Sequence, residues 1–509
     1  MRNITFLSSF VNLQLSDQKQ SAKVLMKWFP SHLVCISKGV FLKVNKVCAI
    51  PEKELSLLTD IISDPNRLLI GESIPEDYLS DEYVKETGKV YAVALPLTKE
   101  EIIQLVKFAQ SAELPIIVRG AGTGLSGATA PMKGELVIDV HMMNNIIGLD
   151  EETLTLTVEP GVLLGEIQEF IEKKGYFYPP DPGSKHSSIG GNVATNAGGM
   201  RAVKYGVTRD YVREMDVVLA NGEEMTLGSL NIKSSSGYDL KDLFIGSEGT
   251  LGITTLIKLK VIPIPKASLS AIVAFSNLQD ATNAVLDILK HGVDPTALEF
   301  FEKEGIAISE RENNMLFPVQ NGQAFLLMTL DGDSSESIAR RMTLLEETVK
   351  QHNLVELLPL TDPADEKTAW FLRDTLLTAV VNYTEQVTMD EVVPINQLAA
   401  LYQYTKELEA ESGLSMISFG HAGDGNLHTC VARGKVTDQT EWETKRDDVL
   451  HKLYAKINEL GGLPSAEHGI GVIKKPYFKE MTADINIEMM RKIKSAFDPD
   501  NRLNPTKLF

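Results

Sequence analysis

Cysteine is scarce in this chain. Its 509 residues include only Cys35, Cys48 and Cys430, with no Cys-x-x-Cys pair. A disulfide framework and a four-thiolate iron–sulfur cluster are therefore excluded for the chain by itself, and a reducing, intracellular setting is expected. Positive charge is also in deficit. Fifty Lys and Arg against 69 Asp and Glu leave a formal net charge of −19, spread along the sequence rather than gathered in a tail. That opposes nonspecific attraction to nucleic acid or anionic lipid. No apolar run is long enough to span a bilayer, the stretch SHLVCISKGVFLKV being broken by Lys38 and Lys43, and no signal peptide is read. Internal repeats and low-complexity tracts are missing as well.

What is present is the composition of a compact globular protein, 43% hydrophobic and 23% charged. At ~100 to 200 residues per domain the length predicts about three domain-sized units. Val90 to Gly120 reads as strand, amphipathic helix and buried strand. Strand ELVIDV, the strand-rich TLTLTVEPGV and a helix over LLGEIQEFIEKKG follow. The paired prolines of VIPIPK (Val261 to Lys266) mark a domain boundary, beyond which helices such as SNLQDATNAVLDILKHG alternate with strands such as AFLLMTL. This predicts an α+β sheet covered by helices. Residues 1 to 50 are unlike the rest and read as a helical arm, a docking segment or a plain extension.

The segment GHAGDGNLH carries His421 and His428, and SAEHGIG supplies Glu467 and His468. AGDGNL favours a tight reversal whose flanking strands would aim both imidazoles at one spot. With Glu467 as third ligand, two His and one carboxylate make an open site for a divalent cation, and His468 is left as the non-ligating base. A solvated histidine is the ordinary explanation for either loop alone. The glycines around them, Gly420, Gly423, Gly425, Gly469 and Gly471, cost backbone entropy without a close approach to serve, and they favour a site.

Gly122, Gly124 and Gly127 match G-x-G-x-x-G, but Pro131 and Gly134 interrupt and a strand follows where a dinucleotide fold needs a helix. The arrangement is strand–loop–strand. Successive N–H groups over Gly120 to Ser126 can still cradle a diphosphate. DPGSKHSSIGGN, NAGG and GSEGTLGI add three more tight backbone approaches, which a large, extended cofactor would explain.

In order along the chain, VRGAGTGLSGA, DPGSKHSSIGGNVATNAGG, FIGSEGTLGI, GHAGDGNLH, AEHGIG and FDPDNRLNP resemble the FAD-linked oxidoreductases of the vanillyl-alcohol oxidase/PCMH superfamily. The branch is that of glycolate oxidase D subunits, D-lactate dehydrogenases and D-2-hydroxyglutarate dehydrogenases, and the match covers about residues 85 to 509. An extension and helical arm is expected over 1–85, and the resemblance implies for the rest an α+β protein: a two-part PCMH-type FAD-binding domain over 86–265, a substrate and metal-binding domain with a helix-covered antiparallel sheet over 266–495, and a C-terminal segment over 496–509 returning toward the flavin. It implies FAD contacts from Arg119, Gly120, Ala121, Gly122, Thr123, Gly124, Leu125 and Ser126 at the pyrophosphate, from Pro182, Gly183, Ser188, Gly190, Gly191 and Asn192, from Glu248, Gly249, Gly252 and Ile253, and from Asn504. Thr123 stands where some members attach flavin through histidine, so FAD should be non-covalent.

The resemblance further implies a divalent metal, zinc by preference, on His421, His428 and Glu467, with His468 as base. Arg373 in WFLR matches the carboxylate-binding arginine, and Asn426 and Lys474 are further substrate candidates. Relatives that take 2-hydroxyglutarate place a hydroxyl residue and a lysine where this chain has Leu377 and Thr388, which favours D-lactate or another monocarboxylate over a dicarboxylate. The implied acceptor is an electron-transfer flavoprotein, an iron–sulfur subunit or a quinone, with no transmembrane segment and a homodimer allowed. The expected place is cytoplasmic, or peripheral to a membrane through a partner. Competing readings are a non-catalytic FAD-binding assembly subunit, a transferase of the alkylglycerone-phosphate synthase type, and an oxidase using oxygen directly.

Overall fold

The computed structural model describes residues 48, 50–81 and 88–509, with the backbone of the strand pair Cys35–Ile36 and Val40–Phe41. The readings offered for residues 1 to 50 fall almost wholly outside the described residues.

The predicted strand–helix–strand opening forms. Thr98 caps the helix Lys99–Ser111 by accepting the Glu101 N–H, and Ile102, Leu105, Val106, Phe108 and Ala109 make its buried stripe. The two strands joined by that helix, Val90–Ala94 and Ile116–Arg119, are not neighbours. Strand Glu135–Asp139 lies between them, parallel to both, and Leu68–Leu69 adds an antiparallel edge. Leu58 and Ile62 of the upstream helix Glu52–Ile61 and its end share this core, so the packed unit begins ahead of residue 86.

A second half follows as a five-stranded antiparallel sheet in the order Glu224–Gly228, Val212–Val218, Ile253–Lys260, Thr155–Val158, Ile146–Asp150. Helices Leu164–Glu172 and Ile189–Thr195 contribute Ile167, Ile171, Ile189 and Val193 to its core. The late helix Asp484–Phe497 docks here too, with the Phe497 ring edge-on to Phe244 at 5.0 Å. Beyond it the chain runs alongside Ile116, whose N–H donates to the Arg502 carbonyl and whose carbonyl accepts from Asn504.

From Ala267 the chain builds the large antiparallel sheet that was expected. Its order is Leu354–Leu360, Ala267–Phe275, Ala324–Gly332, Ala297–Glu302, Ser415–His421, Asn426–Ala432, Gln386–Thr388, with Glu391–Val392 also on the Asn426–Ala432 strand. Side chains alternate between two cores. Leu298, Phe300, Met416 and Leu427 face helices that include Leu278–Lys290 and Gln439–Glu459. Phe301, Ile417, Phe419 and Cys430 face Lys303–Asn313, Pro363–Asp374 and Leu376–Tyr383. The site opens on that second face.

Candidate active site

Strand Ser415–His421 turns through Ala422–Asp424 into Asn426–Ala432, and Phe419 pairs with His428. Gly425 makes the reversal at φ 83°, where a Cβ would meet the Val393 carbonyl at 2.2 Å. Alternation then puts His421 and His428 on the same face as Phe419. Glu467 enters from the loop after Gln439–Glu459, and its Oε1 lies 3.3 Å from His421 Nε2 and 3.6 Å from His428 Nε2. Donors bound to one zinc at about 2.0–2.1 Å in a tetrahedron sit roughly 3.3–3.4 Å apart, so these atoms have the spacing of ligands on one ion. Glu467 Oε2 and His428 Nδ1 are buried without a hydrogen-bond partner, a cost that a bound cation would offset in part.

The electrostatics agree. Burial alone would lower the His421 pKa, but Glu299 and Glu467 raise it well above the ordinary histidine value, so a positive charge belongs between the two carboxylates. Burial and the neighbouring His468 push His428 down to about 3, leaving a neutral imidazole, the form able to ligate a metal. Against burial, His421 draws the Glu467 carboxyl down to about 2. Asp424, in the reversal, is pushed up to about 7 by burial in spite of His421.

His468 stacks on His428 with ring centroids 5.1 Å apart and 4° between planes, and its Nδ1 lies 3.8 Å from Asp390 Oδ2. Burial lowers its pKa, so it stands as a neutral base at pH 7. Asp390, which the sequence reading passed over, organises this corner. Its Oδ2 accepts from the N–H of Ala466, Glu467 and His468, from Ser465 Oγ and from Lys474 Nζ. Asn426 Nδ2 donates to its Oδ1 at 3.1 Å. Asn426 and Lys474 are thus committed to Asp390 and hold the loop that carries Glu467 and His468. Asp390, His428, Glu467 and His468 also offer donor atoms within 4.8 Å of one another. With Asp390 already saturated by donors, the set around Glu467 Oε1 is the better cation site.

Glu299 is the other residue that was missed. It sits opposite His421 across the Ala297–Glu302 and Ser415–His421 strands, with no exposed surface, and its Oε1 is 2.8 Å from His421 Nδ1. That contact leaves Nε2 facing Glu467. Arg373, at the end of Pro363–Asp374, donates Nε to Glu299 Oε2 at 2.7 Å, pairs with it again through Nη2, and brings Nη2 to 3.4 Å from His421 Nδ1. The arginine therefore joins the histidine cluster through Glu299. A signal for both missed acids exists: ALEFFE and MDEVV set carboxylates inside otherwise apolar strand patterns, where an acid must have a partner.

The cofactor candidates form a continuous wall. Among the described residues, the N–H groups of Gly122, Thr123, Gly124 and Leu125 have no hydrogen-bond partner, and buried Ser126 Oγ has none either. Such a row of free donors is what an anionic diphosphate needs. Ala121 N–H donates to Ser188 Oγ, which also caps Ile189–Thr195 through Gly191 N–H, so the first loop is tied to the second. A Cβ on Gly120 would strike Ser188 Oγ at 2.1 Å, whereas Gly124 and Gly183 border open space. Arg119 turns inward, donating to the Ser80 carbonyl and covering the Tyr78 ring. Gly190 packs on Pro160, Gly252 on Phe244, Asn192 and Ile253 are buried and Pro182 is half-buried, so these serve the wall's packing. Gly249 lies against Val118 and Asn504, and Asn504 donates to the carbonyls of Ala128 and Glu248. Glu248 accepts the N–H of Ile470 and Gly471 at 2.7 and 2.8 Å, binding this wall to the His468 loop.

Residues 90–228 match the family model described as FAD binding domain, and residues 264–508 match FAD linked oxidases, C-terminal domain. The chain is 43% identical over 459 residues to a D-lactate dehydrogenase of Anaerostipes hadrus, covering 87% of this chain and 95% of that one. It is 37% identical to glycolate oxidase subunit GlcD of Bacillus subtilis (strain 168), over 82% and 88% of the two chains. Among solved structures, p-cresol methylhydroxylase superposes with a TM-score of 0.75 at 17% identity, over 90% of this chain and 98% of that one, a likeness of fold.

Proposed function

Because the chain belongs to the FAD-linked oxidases, with an FAD-binding domain followed by their C-terminal domain, we propose that it oxidises D-lactate, or another short D-2-hydroxy monocarboxylate, to the 2-oxo acid. Flavin-dependent oxidation of D-2-hydroxy acids is the chemistry of this branch. The observation that carries the reading is the meeting of His421, His428 and Glu467 beside His468, with Arg373 reaching His421 through Glu299.

FAD, held non-covalently along Arg119 to Ser126, Ser188 to Asn192, Glu248 and Asn504, would supply the hydride acceptor. A divalent cation, zinc by the donor set, would be held by His421, His428 and Glu467 and would supply a Lewis acid for the hydroxyl oxygen. The remaining work falls to side chains. Glu299 occupies the Nε edge of Arg373, leaving its other N–H groups for the substrate carboxylate. With Nδ1 turned to Asp390, His468 takes the hydroxyl proton on Nε2. Leu377 packs with the apolar cluster of its helix, and Thr388 Oγ1 donates to Gln386, so neither offers a cation for a second carboxylate. Electrons then pass to an electron-transfer flavoprotein, an iron–sulfur subunit or a quinone. No helix among the described residues is long and apolar enough to cross a membrane.

The test is anaerobic bleaching of the bound flavin by D-lactate, L-lactate, glycolate and D-2-hydroxyglutarate, with and without EDTA. Bleaching by D-lactate that EDTA abolishes and metal restores is the expected result. Flavin that stays oxidised with every acid, metal restored, would move the transferase and assembly-subunit readings ahead.

A further inference from the structure

If electrons leave for a protein partner, as the proposed activity allows, that partner needs a place to dock. On a chain of net charge −19, one face gathers cations that have no carboxylate of their own. Lys474, Lys492 and Lys494 are paired with Asp390, Glu488 and Asp498. Among the described residues Lys133, Lys475, Lys479 and Arg491, which lie around them, form no salt bridge. The four are close enough that Lys479, Lys133 and Arg491 add to burial in lowering the Lys475 pKa. Lys475 Nζ donates to the Thr506 carbonyl, and the Arg491 guanidinium sits 6.0 Å over the Phe509 ring. Lys479 and Arg491 line a cavity of about 340 Å³ with Asp484, Ile487 and Glu488.

Exposed apolar side chains neighbour these cations in sequence: Met132, at 42%, precedes Lys133, and Ile485 at 57% and Met489 at 40% lie on the helix that carries Arg491. A few exposed apolar side chains beside cations that have no carboxylate partner fit the small, steered contacts of electron-transfer proteins. The face also backs directly on the cofactor wall. Val472 N–H donates to the Ser126 carbonyl, Lys507 Nζ to that of Ala130, and Leu508 N–H to that of Gly471.

We propose that the face formed by Lys133, Lys475, Lys479 and Arg491 with Met132, Ile485 and Met489 is the docking surface for an acidic electron-acceptor protein. Each turnover removes a hydride from C2 and a proton from the hydroxyl. The two electrons go to the acceptor protein, together or singly, and the two protons go to solvent or travel with them. Asp484 and Glu488 stand among the cations and would be repelled by an anionic bilayer, whereas a protein surface can meet them with charges of its own.

The test uses the FAD-loaded protein and two one-electron probes, an acidic blue-copper protein and a basic cytochrome c. Binding of each oxidised probe is measured by surface plasmon resonance at 10 and 200 mM salt, without substrate. Dye reduction by D-lactate is followed separately, so failure of the proposed activity is not confused with failure of docking. The acidic probe should bind at low salt, weaken at least tenfold at high salt, and weaken at least tenfold in Lys133→Glu/Lys479→Glu/Arg491→Glu, with the dye rate unchanged where dye reduction occurs. Equal binding by wild type and variant, or preference for cytochrome c, would overturn the proposal. So would loss, in the variant, of binding to phosphatidylglycerol vesicles but not to the acidic probe, which would mark a membrane-facing surface instead.

Discussion

Glu299 Oε1 lies 2.8 Å from His421 Nδ1 across two antiparallel strands, and the same carboxylate holds Arg373. One fully buried acid therefore orients together the histidine proposed as a metal ligand and the arginine proposed to bind the substrate. Glu299→Gln should weaken metal binding by about 10- to 100-fold, the usual effect of losing an outer-shell partner, and should raise KM for D-lactate. Competition with a chelator and steady-state kinetics measure the two effects; a change in neither would remove Glu299 from the site.

Removing the cation should stop chemistry without removing flavin. In Glu467→Gln the metal content should fall from one ion per chain toward zero, with FAD absorbance retained and the rate of flavin reduction down by at least about 100-fold. Elemental analysis and anaerobic stopped-flow spectroscopy read the two quantities on one preparation.

Glu248 ties the Ile189–Thr195 half to the loop that carries His468, by accepting the Ile470 and Gly471 N–H groups. Gly469, one residue earlier at φ 80°, has no room for a Cβ, which would lie 2.9 Å from Glu248 Oε1. Glu248→Ala should release the loop and misplace His468, lowering kcat by roughly 10- to 100-fold with KM little changed. A fall in KM-dependent terms alone would argue against a positioning role.

Substrate choice should respond to Thr388. Thr388→Lys places an ammonium at this position of the strand Gln386–Thr388 and should shift kcat/KM from D-lactate toward D-2-hydroxyglutarate by about tenfold or more. An unchanged ratio would place the distal end of the substrate elsewhere.

Lys507 gives a pH test of stability. It is buried, its Nζ donates to the Ala130 carbonyl, and burial lowers its pKa from 10.5 to about 8. The unfolded chain therefore binds the extra proton between pH 8 and 10.5. Burying the ammonium costs on the order of 3 kcal/mol below pH 8, and the cost disappears as pH rises through 10.5. Relative to Lys507→Met, the wild-type Tm should climb across pH 8 to 10.5; parallel curves would show that the ammonium is not destabilising.

The sequence by itself determined the local pieces: the helix stripes, the strand–loop–strand around Gly122, the reversal at Gly425 that brings His421 and His428 together, and the order of glycine-rich segments that carried the family resemblance. These depend on periodicity and backbone preference over a few residues, which can be read directly. Tertiary structure alone decided that Glu135–Asp139 enters between Val90–Ala94 and Ile116–Arg119, that the C-terminal segment runs beside Ile116, and that helix Asp484–Phe497 packs on the cofactor half. It also decided the supports of the site. Glu299 meets a histidine 122 residues away, and Asp390 gathers a loop some 75 residues downstream. Nothing local encodes those pairings: a buried carboxylate announces only that it needs a partner, and the register of distant strands selects which one.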